Sequence, residues 1–146
     1  MRIAVLNGPN LNMLGRREPA LYGSTTLAEI ESRLQAIAGE LGVELRCVQH
    51  NGEGELVDAV QALYGWADGA VINAGAYTHT SLAIRDAFAA VDVPYVEVHV
   101  TNVYAREPER RHSMLAAGAR AVLCGFGADG YEYALRGLVS MLGARG

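Results

Sequence analysis

Short apolar runs recur along this chain, and each is followed by a stretch with helical spacing. RIAVLN (2–7), VELRCVQ (43–49), GAVIN (69–73), PYVEVHV (94–100) and ARAVLCG (119–125) read as strands bounded by turn residues. Thr26 and Glu29 form a capping-box pattern, and Leu27, Ile30, Leu34, Ile37 and Leu41 continue from it at helical spacing. Residues 54–66 carry Leu56, Val57, Val60, Leu63 and Tyr64 on another helical face. Thr80 or Ser81 caps a helix to about Ala90, a short helix is expected around 108–117, and a last one over 130–143. Strands that alternate with helices need crossover connections, which make the sheet parallel and place helices on both faces. The expectation is a single α/β domain over residues 1–146, a flavodoxin-like doubly wound five-stranded parallel sheet of strand order 2-1-3-4-5. No internal repeat, low-complexity tract or linker interrupts the pattern.

Charge and composition narrow the partners. The chain has 146 residues and a net charge of −4, so neither a nucleic-acid footprint nor a membrane-binding basic patch is expected. No apolar run approaches ~18 residues and the N-terminus lacks the order of a signal peptide, so the cytosol is the expected compartment. Cys47 and Cys124 each sit in a strand-like run and read as buried, inert thiols. All 12 cationic side chains are Arg. Without lysine, neither imine chemistry nor a Walker-type phosphate loop is available. The four histidines, His50, His79, His99 and His112, show no metal-ligand spacing, and no metal is expected.

In such a fold, ligands bind beyond the C-terminal ends of the strands, near the switch point between strands 1 and 3. Polar residues gather there. Strand 1 leads into Asn7, Asn10 and Asn12, then the Arg16-Arg17-Glu18-Pro19 loop and Tyr22. Strand 3 leads into Asn73 and the stretch from Gly75 to Ser81, and strand 4 carries Glu97, His99 and Thr101, followed by Arg106 and Arg110. Gln49, His50 and Asn51 end strand 2 and are expected to lie farther off.

Alternation puts Glu97, His99 and Thr101 on one face of strand 4 and Val96, Val98 and Val100 on the other. A buried Glu and His two residues apart are costly unless paired. The pair reads either as a satisfied polar contact or as a general acid or base oriented by a carboxylate. His79 reads either as a helix-start residue or as part of the site. Tyr22 either packs its ring or acts as a base, because a guanidinium beside a phenol in a dry pocket favours the ionised form. The segment from Leu11 to Gly23, bracketed by Gly15 and Gly23, suits a lid. Arg17, Arg106 and Arg110 aimed at one cleft suit an anionic ligand, most simply a carboxylate. Gly125, Gly127 and Gly130 spell GxGxxG, but far from the first βα turn, so a tight turn explains them better than a dinucleotide site.

Taken together, NGPNLNMLGRREPALYG, INAGAYTHTS and EVHVTNVYAREPERRHS resemble the type II 3-dehydroquinate dehydratases, over the full chain length and including the CGFGADGYEYAL region. The resemblance implies the flavodoxin-like fold, no cofactor or metal, and a homo-oligomer, a dodecamer built from trimers. It implies a hydro-lyase that removes water from 3-dehydroquinate to give 3-dehydroshikimate, in aromatic biosynthesis or quinate breakdown. By the same resemblance, Tyr22 takes the proton α to the ketone and Arg17 keeps the phenolate charged. Asn10 helps hold a water at the enolate oxygen, and His99 protonates the departing hydroxyl. Substrate contacts fall on Asn73, His79, Val100, Thr101 and Arg110, and Asp86 reaches a neighbouring subunit's site. Glu97 is assigned to orienting His99. Val100-Thr101 stands for a commoner Leu-Ser, Tyr104 for a frequent His, Glu109 for a frequent Phe and Ala74 for a frequent Pro. Glu109 is expected to pair with Arg110, which bears on substrate affinity. The rival class is a non-catalytic flavodoxin-like domain that captures an anion through its arginines; it leaves Tyr22 and the Glu97–His99 pair idle.

Overall fold

The computed structural model describes residues 1–143. Strands β1 (Arg2–Asn7), β2 (Glu44–Gln49), β3 (Gly69–Asn73), β4 (Tyr95–His99) and β5 (Ala121–Cys124) form one sheet of order β2-β1-β3-β4-β5. Every neighbouring pair is parallel. The helices are α1 (Pro19–Tyr22), α2 (Leu27–Leu41), α3 (Glu53–Gln61), α4 (Leu82–Val91) and α5 (Asp129–Gly143).

Strand alternation splits the core into two layers. Ile3, Val5, Val71, Val96 and Val98 pack with Ile30, Leu34 and Ile37 of α2 and Leu135 and Leu138 of α5. Ala4, Leu6, Ala70, Ile72 and Tyr95 pack on the other face with Leu56 and Val60 of α3 and Ile84 and Phe88 of α4. Burying such side chains stabilises by roughly 1.5–3 kcal/mol each, which sets the strand register.

Local chemistry fixes the helix ends. The Thr26 hydroxyl accepts from the Glu29 backbone N–H at 3.2 Å, and Gly42 stops α2 at φ 68°. Ser81, not Thr80, caps α4, accepting from the Ile84 N–H at 3.0 Å. Two helical expectations need correction. Helix α3 ends at Gln61, after which the chain tightens into turns (Leu63 N–H to the Val60 carbonyl, Tyr64 N–H to the Gln61 carbonyl) and passes through Gly65 at φ 74°; Leu63 is still buried but Tyr64 is exposed. The helix expected around 108–117 is two separate 3-10 turns, Pro108–Arg110 and Ala116–Gly118. Between them the Met114 N–H donates to the Thr78 carbonyl and the Leu115 carbonyl accepts from the Tyr95 hydroxyl, so tertiary bonds replace helical ones.

Both cysteines are free and half-buried rather than buried. Burial, with the Glu31 charge adding to it, pushes the Cys47 thiol up to about 12, in keeping with an inert side chain. Among the described residues, no helix is long and apolar enough to cross a membrane.

At the switch point the β1 and β3 loops touch. Asn7 and Asn73 end the two strands in register, and the Gly8 N–H donates to the Asn73 carbonyl at 2.8 Å. A Cβ on Gly8 would lie 2.4 Å from the Ala74 carbonyl oxygen, so only glycine permits this approach.

Candidate active site

The cleft at the strand ends begins with Asn10, held in the left-handed region at φ 68°. Its N–H donates to the Asn51 side-chain oxygen at 3.0 Å, which also accepts from Gln49 Nε2 at 3.0 Å. Gln49 Nε2 also donates to the Gly8 carbonyl at 3.1 Å. The end of β2, expected to lie away from the switch point, therefore braces the loop that carries Asn10. Two amide side chains closing a strand were the available signal.

Further along the loop, Glu18 at φ 38° turns the chain into α1 with Pro19 in its first turn, and Gly23 at φ 81° ends it. This one-turn helix presents Tyr22. Arg17 Cζ lies 4.8 Å and Arg106 Cζ 5.2 Å from the Tyr22 ring centroid. Arg106 also donates from Nη1 to the Thr101 hydroxyl at 3.4 Å. Two guanidiniums thus favour negative charge on this side of the cleft. Arg106, read from sequence only as one of three clustered cations, lies slightly farther from that ring than Arg17 does, at 5.2 Å against 4.8 Å.

From β3, Asn73 donates to the Tyr131 hydroxyl at 2.9 Å and accepts from the Gly75 N–H at 3.1 Å. Tyr131 in turn donates to Asn7 at 2.6 Å. Burial raises the Tyr131 phenol well above its ordinary range, so it stays a donor. His79 Nδ1 donates to the His112 carbonyl at 2.7 Å, which requires the proton on that nitrogen.

On β4, Glu97 and His99 are both buried, and His99 Nε2 lies within hydrogen-bond distance of Glu97 Oε2, at 2.5 Å. The other Glu97 oxygen accepts from the Ser113 hydroxyl at 2.7 Å. The His79 and His99 rings lie nearly parallel with centroids 6.4 Å apart. Arg110 donates from Nε to Glu107 at 2.5 Å. Its partner is Glu107, three residues back, and not Glu109 as expected; the 3-10 turn puts Glu107 within reach and leaves Glu109 exposed. The Arg110 hydrogen bond holds the Glu107 carboxyl below the usual carboxylate range.

One cleft is lined by Asn10, Arg17, Tyr22, Asn73, His79, His99, Val100, Thr101, Arg106 and Arg110. Glu97 lies behind His99. Asp86 is not at this cleft; it is exposed on α4, 3.9 Å from Arg85. Among the described residues, no three His, Cys, Asp or Glu side chains cluster closely enough to hold a metal ion. After β5, Gly125 at φ 91° and Gly127 at φ 65° donate their N–H groups to the His99 and Val100 carbonyls, so the glycines turn the chain into α5.

A parallel 2-1-3-4-5 sheet with ionisable groups at its switch point defines a flavodoxin-like α/β protein with a cleft lined by ionisable side chains. The family described as "Dehydroquinase class II" matches residues 1–139. A 3-dehydroquinate dehydratase of Gemmatimonas aurantiaca is 61% identical over 142 residues, 97% of this chain and 93% of that protein. The crystal structure of the type II dehydroquinase from Butyrivibrio crossotus superposes with a TM-score of 0.92 at 40% identity, covering 98% of this chain and 97% of that one. That from Propionibacterium acnes gives 0.91 at 39% identity, covering 95% and 96%. The chain belongs to the class II dehydroquinase family.

Proposed function

We propose that this chain is a 3-dehydroquinate dehydratase, a hydro-lyase that eliminates water from 3-dehydroquinate to give 3-dehydroshikimate through an enolate, without a cofactor. Tyr22 as phenolate takes the proton α to the ketone, and the C–H electron pair moves onto the carbonyl oxygen. Arg17 stabilises the phenolate, and Asn10 helps hold a water at the enolate oxygen. The enolate then collapses, the C–O bond to the leaving hydroxyl breaks, and His99 supplies the proton that makes it water. Glu97 orients His99. Asn73, His79, Val100, Thr101 and Arg110 contact the substrate.

The observation that carries this reading is that Tyr22 and His99, from different elements, line the same cleft. A base and an acid on one substrate are what such an elimination needs. A domain that only captured an anion would use the arginines and leave both rings without a task. The reading places the chain in the cytosol, in aromatic biosynthesis or quinate breakdown. Its assembly is a dodecamer built from trimers, with Asp86 reaching a neighbouring subunit's cleft. Exposure of Asp86 on α4 supports that role.

The direct test follows ultraviolet absorbance of the purified chain with dehydroquinate. The conjugated enone product raises the signal; no rise at high enzyme concentration leaves the anion-capturing domain as the better account. Sedimentation under assay conditions tests the assembly. A fully active monomer rules out a shared site.

A further inference from the structure

We propose that Ser113 is a positioning residue that fixes which nitrogen of His99 exchanges a proton with the ligand. The link to turnover rests on the acid role given to His99 above; the proton assignment itself does not.

A hydroxyl has two lone pairs and one proton. Ser113 Oγ accepts from the Leu115 N–H and from the Ala116 N–H, both at 3.1 Å. Its lone pairs are therefore committed, and its proton can only be given away. It goes to Glu97 Oε1 at 2.7 Å. That oxygen is thereby an acceptor and carries no proton. The 2.5 Å contact between Oε2 and Nε2 holds one proton, and a carboxylate can only accept there, which puts that proton on the imidazole. With the carboxylate as acceptor, His99 Nε2 donates to Glu97, and Nδ1 is the nitrogen left to give and take a proton.

Ser113 is itself held in place. The His112 carbonyl accepts from His79, the Met114 N–H donates to Thr78, and the Leu115 carbonyl accepts from Tyr95. Bonds to β4 and to the segment after β3 thus fix Ser113 from both sides in sequence. Such outer partners commonly set the tautomer of a working histidine. The ionisable groups that share this space with Glu97 and His99 are His79, Tyr104, Arg110 and Arg111.

Nitrogen NMR of the His99 ring in the full chain tests the assignment, beside steady-state kinetics. In the unaltered protein the neutral ring carries its proton on Nε2. In Glu97→Gln, the Ser113 proton requires the amide oxygen on its own side, so the amide N–H faces His99 and the neutral ring switches to Nδ1–H. In the Glu97→Gln, Ser113→Ala double variant, that single preference is lost. Ser113→Ala lowers kcat about tenfold with KM within about twofold, and Ser113→Thr restores turnover because its hydroxyl can make the same bonds. A ring that stays Nε2–H in Glu97→Gln overturns the proposal. So does Ser113→Ala with full kcat and the original tautomer. If Ser113→Ala does not fold, Glu97→Gln and Ser113→Thr still decide. An unaltered chain that fails to dehydrate dehydroquinate refutes the proposed function, while the NMR outcomes still test Ser113.

Discussion

Arg17 and Tyr22 face one another within the loop after β1, the guanidinium carbon 4.8 Å from the ring centroid. Arg106 approaches the same ring at 5.2 Å. Because the ring, rather than the hydroxyl alone, meets the cations, Tyr22→Phe preserves this packing and removes only the proton-accepting oxygen. The variant is expected to fold normally, to bind substrate with little change in KM, and to lose at least ~10² in kcat. Near-normal turnover removes Tyr22 as the base.

Gly8 predicts a stability defect rather than a chemical one. Its added Cβ would meet the Ala74 carbonyl oxygen at 2.4 Å and the carbonyl carbon at 2.6 Å, both backbone atoms. Gly8→Ala must therefore push the β1 and β3 loops apart, at a cost of about 3 kcal/mol, and it shifts Asn10 relative to Asn73. Gly54, in α3 with nothing within 4 Å of its Cβ position, serves as control. Gly54→Ala should be neutral or stabilise by about 0.5 kcal/mol. Urea midpoints that coincide for the two variants contradict the close approach.

Asn51 gives a third test. Its side-chain oxygen holds the N–H of Asn10, which sits at φ 68°. Asn51→Ala removes that acceptor and one of the bonds of Gln49, which keeps its bond to the Gly8 carbonyl. A loss of about 1 kcal/mol in stability is expected, with kcat/KM reduced severalfold. Asn51→Asp keeps an acceptor and should retain more activity than the alanine variant. Equal activity of the two shows that the bond does not position Asn10.

The central strands β1, β3 and β4 were legible because each is buried on two faces, which writes a near-continuous apolar run; the edge strands β2 and β5 are only partly buried, and the sheet order follows from regular alternation with helices. The phenol, guanidinium and imidazole of the site were legible because ionisable residues concentrate at the ends of apolar strands. What escaped was whatever depends on tertiary partners. Residues 108–117 carry helix-forming side chains, but their backbone groups bond to Thr78 and Tyr95 instead. Asn51 and Ser113 act through hydrogen bonds to residues 41 and 16 positions away, a distance no local pattern encodes. Arg110 took Glu107 over adjacent Glu109 because neighbours in sequence do not face each other in a 3-10 turn.

Burial pushes the Tyr95 phenol from 10.0 up to about 12, with the Glu97 charge adding to it, and pushes the Cys47 thiol from 9.0 to about 12. Burial raises Tyr131 as well. In each case the folded value lies above the unfolded one, so the fold favours the protonated form. That contribution is complete below about pH 9, where both states hold their protons. As pH rises past the unfolded values the unfolded chain ionises first, and stability falls until the folded groups titrate near about 12. Each group can remove up to about 1.4 kcal/mol per pH unit within that window. Urea midpoints should therefore be flat from about pH 7 to about pH 9 and decline steeply by about pH 11. Tyr95→Phe loses the bond to the Leu115 carbonyl and starts about 1 kcal/mol less stable at neutral pH. Its decline should nevertheless be shallower, because one titrating group is gone. Parallel declines for the variant and the unaltered chain would show that Tyr95 does not stay protonated through the fold's alkaline window.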